Sequence, residues 1–246
     1  MTTPTTTPTT TPVTRRVLAA LAVGTLALAT ACSDDDAGDD PTLSAAGCDA
    51  FASIGAAMFG DPAGLPDSIA ALSAEASEGL RPAATTYGDA LLAAFDGDEE
   101  AMTSPEFRTA GAEIGEAVLT SCETVADLDV RGIDFAFEGI PDEVDAGRVS
   151  IEFTNETDHA EPHEMLLMKR LDGADEPVTE LLEMPEDELF GKVVPTAVAY
   201  ADEAGGTNVA LVDLEPGAYI AICMIPTEGD GPPHAVNGMV DEFVVG

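Results

Sequence analysis

The sequence predicts an α+β chain: a small helical N-terminal domain over residues 48–124, then an all-β sandwich over residues 126–246. Two observations carry this. From Phe51 to Cys122 the apolar residues recur at three- and four-residue steps, the period of an amphipathic helix. Beyond residue 126 the period changes to two, in short runs separated by Pro and Gly turn signals, which is the pattern of a sandwich.

Ahead of both lies a segment that reads as a targeting signal. Arg15-Arg16 is followed by an apolar run from Val17 to Leu28 and then by Ala29-Thr30-Ala31-Cys32. A charged start, an apolar centre and small residues before a cut describe a secretory signal peptide over residues 1–31. The apolar run is too short to be a comfortable permanent span. Cys32, directly after the small residues, resembles the lipobox of bacterial lipoproteins, with Ala29 where leucine is more usual. That resemblance implies lipidation at Cys32; an ordinary signal with an incidental cysteine is the other reading. Arg15-Arg16 fits a plain or a twin-arginine export signal, and the Thr/Pro repeat before Val13 is low-complexity. Residues 32–47, acidic and poor in groups that pack, read as a flexible linker from lipid to fold.

The helical stretch shows four stripes: Phe51, Ile54, Met58 and Phe59; Leu65, Ile69, Leu72, Ala76 and Leu80; Tyr87, Leu91, Leu92 and Phe95; Phe107, Ala110, Ile114, Val118 and Cys122. Ser104-Pro105-Glu106 is a helix start, with a cap, a proline in the first turn and an acid at the positive end of the dipole. In the second half, residues 132–137, 148–155, 163–171, 209–214, 218–225 and 239–245 read as strands. Residues 141–147 read as a loop, Glu215-Pro216-Gly217 as a tight turn, and residues 177–190 as a short helix interrupted at Pro185.

An exported chain folds where cysteines pair. Cys48 and Cys122 bracket the alanine-rich segment and are expected to bond to each other. Cys223 is then left over, and a leftover cysteine in an exported protein calls for an explanation. Ten residues separate it from His234, and four more lead to Met239, while His163 stands upstream at the mouth of an apolar strand. One thiolate, two imidazoles and one thioether are the donors of a type 1 copper site, a trigonal His2Cys plane with a weak axial Met. Singly, each residue has a plainer reading: a small core cysteine, loop histidines, a core-filling methionine. Taken together, with the other cysteines accounted for, they read as a metal site. His159 in the preceding loop is the rival to His163. Asn155, close to the His163 loop, is a candidate for tying the ligand loops together.

The segments IEFTNETDHAEPHEMLL, LEPGAYIAICMIP and PPHAVNGMVDEFVV resemble the cupredoxin family over about half of the mature chain. The resemblance implies a Greek-key sandwich with one copper bound by His163, Cys223, His234 and Met239, and electron transfer or a related copper-handling role. The Cys-to-His spacing is longer than in small members. Pro226, Pro232, Pro233 and the run Glu228 to Gly231 predict a hairpin that loops out and returns His234 beside Cys223.

The chain carries 47 acidic and 9 basic residues, a net charge of −38. Such a surface repels nucleic acid and anionic headgroups and suits a redox protein with a basic face. A solvated acidic surface serving solubility is the alternative. Enzymatic copper chemistry needs a second centre built from further histidines, and only His159 is left over; no nucleophile elbow or phosphate loop is present. The expectation is an exported, lipid-anchored electron-transfer protein on the extracytoplasmic face of the cell membrane. The alternatives are a copper carrier and a metal-free interaction module.

Overall fold

A computed structural model describes residues 40–158 and 161–246. The signal peptide, Cys32, most of the acidic linker and His159 lie outside the described residues, which belong to one compact unit.

Helix α1 (Ala45–Ala57) starts where the Ser44 hydroxyl accepts the Gly47 N–H at 3.1 Å. The linker reading over 32–47 is corrected at its C-terminal end. Leu43 is buried and bridges to Ala76, and Ser44 donates its own N–H to the Glu75 carbonyl. Helix α2 (Leu65–Glu75) buries Leu65, Ile69 and Leu72. The expected continuation through Ala76 to Leu80 does not form. Ala76 is extended and pairs with Leu43, and Leu80 reaches the core from the turn before α3 (Arg81–Phe95). Helix α4 (Pro105–Ser121) has the predicted start: Ser104 accepts the Phe107 N–H at 3.2 Å. Cys48 on α1 and Cys122 at the end of α4 form the expected disulfide. The helices pack closely because two contacts have no room for a side chain. A Cβ on Gly88 would stand 2.3 Å from Ile69 Cγ2, and one on Gly115 would stand 2.9 Å from Val209 Cγ2.

Among the described residues, nine strands follow in two sheets. The first contains β1 (Ala126–Ile133), β2 (Ala136–Glu138), β4 (Gly147–Asn155) and β7 (Thr207–Leu214), in the order β2-β1-β4-β7. The second contains β3 (Glu143–Val144), β5 (His163–Arg170), β6 (Val193–Ala201), β8 (Gly217–Ile222) and β9 (Val240–Val245), in the order β3-β9-β8-β5-β6. Strand β1 runs parallel to β4, and β3 runs parallel to β9. Val149, Ile151 and Phe153 alternate inward from β4 and meet Met165, Leu167, Tyr219 and Phe243 from the other sheet. Short helices α5 (Val178–Leu181) and α6 (Glu186–Leu189) flank Pro185 as expected; Val178, Leu181 and Leu189 join Met168, Ile220 and Ile222 in a separate cluster.

Three strand readings change. Residues 132–137 are not one strand. Asp134 takes the left-handed region at φ 48°, which its short polar side chain tolerates, and the chain reverses into the β1–β2 hairpin. The loop over 141–147 contains β3. Glu215-Pro216-Gly217 joins strands of different sheets rather than hairpin partners. The Tyr219 hydroxyl pins that corner, accepting the Glu215 N–H at 3.2 Å and donating to the Glu215 carbonyl at 3.0 Å.

Strand β7 is apolar on both faces. Ala210, Val212 and Leu214 enter the sandwich core, while Val209 and Leu211 enter the helical core. The helices therefore form a third layer on the first sheet. Arg148 clamps the layers, donating to Asp49 of α1 at 2.7 Å and to both carboxylate oxygens of Asp213 at 3.0 and 2.9 Å.

Candidate metal centre

At one end of the sandwich, β5 opens with His163, β8 leads directly into Cys223, and β9 begins just after Met239. The ten-residue connection after Cys223 is a hairpin, as its prolines predict. Pro226 bridges Pro233, Thr227 donates its N–H to the Pro232 carbonyl at 3.0 Å, and the Gly231 N–H returns to Thr227 at 2.8 Å. The hairpin delivers His234 to the Ile225 carbonyl at 2.9 Å. A short 3-10 turn over His234–Asn237 then ends at Gly238, whose φ of 115° favours glycine. Backbone bonds lace these loops together. Ala235 N–H reaches the Cys223 carbonyl at 2.9 Å, Met239 N–H the His234 carbonyl at 3.2 Å, and Cys223 N–H the Met239 carbonyl at 3.2 Å.

The result is a closed pocket. His163, Cys223, His234 and Met239 are all buried, at 2 % exposure or less. Among the described residues, Cys223 is the free cysteine. Its Sγ lies 3.5 Å from His234 Nδ1, which lies 3.1 Å from His163 Nδ1. The ligand atoms of these three residues fall within 4.8 Å of one another. An ion with metal–nitrogen bonds of about 2.0 Å and metal–sulfur bonds of about 2.3 Å asks for donor pairs about 3.5 Å apart in a plane. The 3.1 and 3.5 Å spacings lie within a few tenths of an ångström of this and the third pair stays within 4.8 Å, so the three side chains could hold a single ion after a small adjustment. Met239 contacts His163. Its methyl is also seated on Gly132, where a Cβ would stand 3.0 Å from Met239 Cε and 2.9 Å from the Phe153 ring.

The electrostatics suit ligation. Burial, aided by the neighbouring His234, lowers the His163 imidazole to about 4. Burial also lowers His234, against the opposing pull of Glu161. Both rings are thus neutral, the form that binds metal. Burial pushes the Cys223 thiol up to about 11, although the backbone N–H groups of Glu164 and Ile225 pull it down. The pocket without an ion therefore keeps the proton on sulfur, and metal binding displaces it.

Every donor named from the sequence is brought together here, and His159 lies outside the described residues. Asn155 is fully buried. Its side chain donates to the Glu161 carbonyl at 2.9 Å and to Ala201 at 3.4 Å, and it accepts the Thr157 N–H at 3.2 Å. It thus fixes the loop leading into His163. Three further residues line the site. Glu164 accepts the Met224 N–H at 3.1 Å. Phe135 packs edge-on against His234 with centroids 5.2 Å apart, and Glu161 stands 3.4 Å from His234 Nε2. Phe135 lies in the unpredicted β1–β2 turn. The two glutamates are hidden among 47 acids, and only their closeness to His163 in the chain could have marked them.

A two-sheet sandwich with a buried His–Cys–His cluster at one end is cupredoxin-like, and copper is the ion that this donor set suits. No protein-family model matches the chain, and no curated protein sequence does. Among solved structures it is similar to dithionite-reduced auracyanin from Roseiflexus castenholzii, at 16 % identity and TM-score 0.35, over 50 % of this chain and 98 % of that one. It is similar to auracyanin A, a "blue" copper protein of Chloroflexus aurantiacus, at 19 % and 0.31, over 49 % and 98 %. Rusticyanin from Thiobacillus ferrooxidans matches at 15 % and 0.34, over 51 % and 80 %.

Proposed function

We propose that this chain is an exported protein, anchored by lipid on Cys32, that binds one copper ion through His163, Cys223, His234 and Met239. In this reading it passes single electrons at the extracytoplasmic face of the cell membrane. The observation that carries the reading is the convergence of the free cysteine and two histidine Nδ1 atoms in one buried pocket. Bound copper supplies a one-electron couple, and a set of soft sulfur and imidazole donors accepts both of its oxidation states. Cys223 contributes the negative charge, the imidazoles complete the plane, and Met239 offers a weak fourth contact. The laced loops hold these donors still, so that little reorganisation accompanies a change of charge. Phe135, partly exposed and packed on His234, links the pocket to the surface. The net charge of −38 favours a redox partner with a basic face and disfavours nucleic acid.

Full burial of the donors favours copper that stays in place over copper that is handed on, and no catalytic chemistry is assigned to the site. The test is repeated oxidation and reduction of the copper-loaded protein in the presence of a strong chelator. Reversible one-electron cycling with copper retained is expected. Rapid loss to the chelator would make the protein a carrier, and failure to take up stoichiometric copper would make the sandwich a metal-free interaction module. Separately, Cys32→Ser is expected to release the protein from the membrane fraction.

A further inference from the structure

His234 has two ring nitrogens in different surroundings. Nδ1 faces Cys223 and His163. Nε2 is fully buried and makes no aligned hydrogen bond, yet Glu161 Oε2 lies 3.4 Å from it. A neutral imidazole that turns the lone pair of Nδ1 to a metal carries its proton on Nε2, and a buried N–H requires an acceptor. Glu161 is placed to be that acceptor, and it is held on two further sides. Its Oε1 accepts the Glu228 N–H of the proline hairpin at 3.0 Å, from a residue in the left-handed region at φ 53°. Its backbone carbonyl accepts from the buried Asn155 side chain at 2.9 Å.

We propose that Glu161 is the positioning residue for His234: its carboxylate accepts the Nε2–H, fixes the ring with Nδ1 toward the ion, and joins the His163 loop to the hairpin that carries His234. Asn155 then acts through Glu161, which explains why a buried amide is spent on a loop carbonyl. A carboxylate behind a metal-bound imidazole also raises the basicity of that ligand and favours the higher-charged metal state. This second effect rests on the copper reading above; the orientation of the ring does not.

The experiment compares the full-length protein with Glu161→Gln and Glu161→Ala, first metal-free and then copper-loaded. Histidine nitrogen NMR of the metal-free wild type is expected to show His234 protonated at Nε2 with slow solvent exchange. Loss of a hydrogen bond to a charged group predicts exchange faster by about tenfold or more in Glu161→Ala. Glu161→Gln keeps an acceptor and is expected to restore slow exchange. In the copper-loaded protein both substitutions are expected to raise the reduction potential, because both remove the charge. A loop-packing role would leave the reduction potential of Glu161→Gln at the wild-type value, because Gln keeps the shape and loses only the charge. A wild-type exchange rate in Glu161→Ala, or a His234 proton on Nδ1 in the metal-free wild type, would overturn the proposal. Should the wild type bind no copper, the electron-transfer reading falls and the metal-free measurement still decides the role of Glu161.

Discussion

Cys48 and Cys223 are both buried, one in the helical layer and one at the end of the sandwich, and their surroundings differ in kind. Around Cys48 the core is mostly alanine, leucine and isoleucine, and the structure closes it covalently through Cys122 across 74 residues. Around Cys223 no covalent link exists. Backbone bonds hold three loops in place, and the pocket they close is lined by a thiol and two imidazoles that could hold a metal ion. The difference teaches what each region depends on. A layer with small side chains relies on restricting its unfolded chain, whereas the pocket relies on the backbone bonds between its loops.

The comparison is broken most sharply at the disulfide. Cys48→Ser with Cys122→Ser is expected to cost about 4 kcal/mol in denaturant unfolding, from the loop that the bond closes, with no change in the copper spectrum of the protein that remains folded. A spectral change would mean that the two regions are coupled through β7. The next effect is on pH. Folded His163 has its pKa lowered to about 4 from 6.5, so between those values the unfolded chain binds more protons. Stability of the metal-free protein should therefore be fully present above pH 6.5 and fall as the pH drops to 4, by about 3 kcal/mol. Thermal melts across that range check this, and His163→Gln should flatten the dependence.

A smaller expected effect lies in the helical layer. Gly88→Ala must displace Ile69, which predicts a loss of about 1–3 kcal/mol and an unchanged metal site. The smallest is at Met239. Met239→Leu should keep the colour and most of the copper affinity while raising the reduction potential, because a weak polarisable donor gives way to hydrocarbon. Visible spectroscopy with voltammetry separates the two outcomes.

How much of this was legible in the sequence depends on whether the signal was local. Ser104-Pro105 marked a helix start because a cap needs only its next three residues. The Pro226–Pro233 hairpin was legible for the same reason, as was the donor order. Residues 193–201 give no clear strand signal because Pro195 and three alanines hide the alternation, and their place beside β5 is a long-range pairing. The helical stripe through Leu80 misled because Leu80 is buried from a turn, where spacing carries no information. The apolar run in β7 reflects its helical cover, visible only once α1 and α4 are docked on it. For Glu161 the sequence offers only nearness to His163 in the chain; its approach to His234 Nε2 at 3.4 Å is a three-dimensional fact.

The most direct test of the central claim is to add one equivalent of Cu(II) to the purified protein beside its Cys223→Ser variant and record visible and EPR spectra. The account predicts stoichiometric uptake by the wild type, with the intense visible absorption of a copper–thiolate bond, and a colourless variant. A wild type that takes up no copper, or a variant as coloured as the wild type, would contradict it.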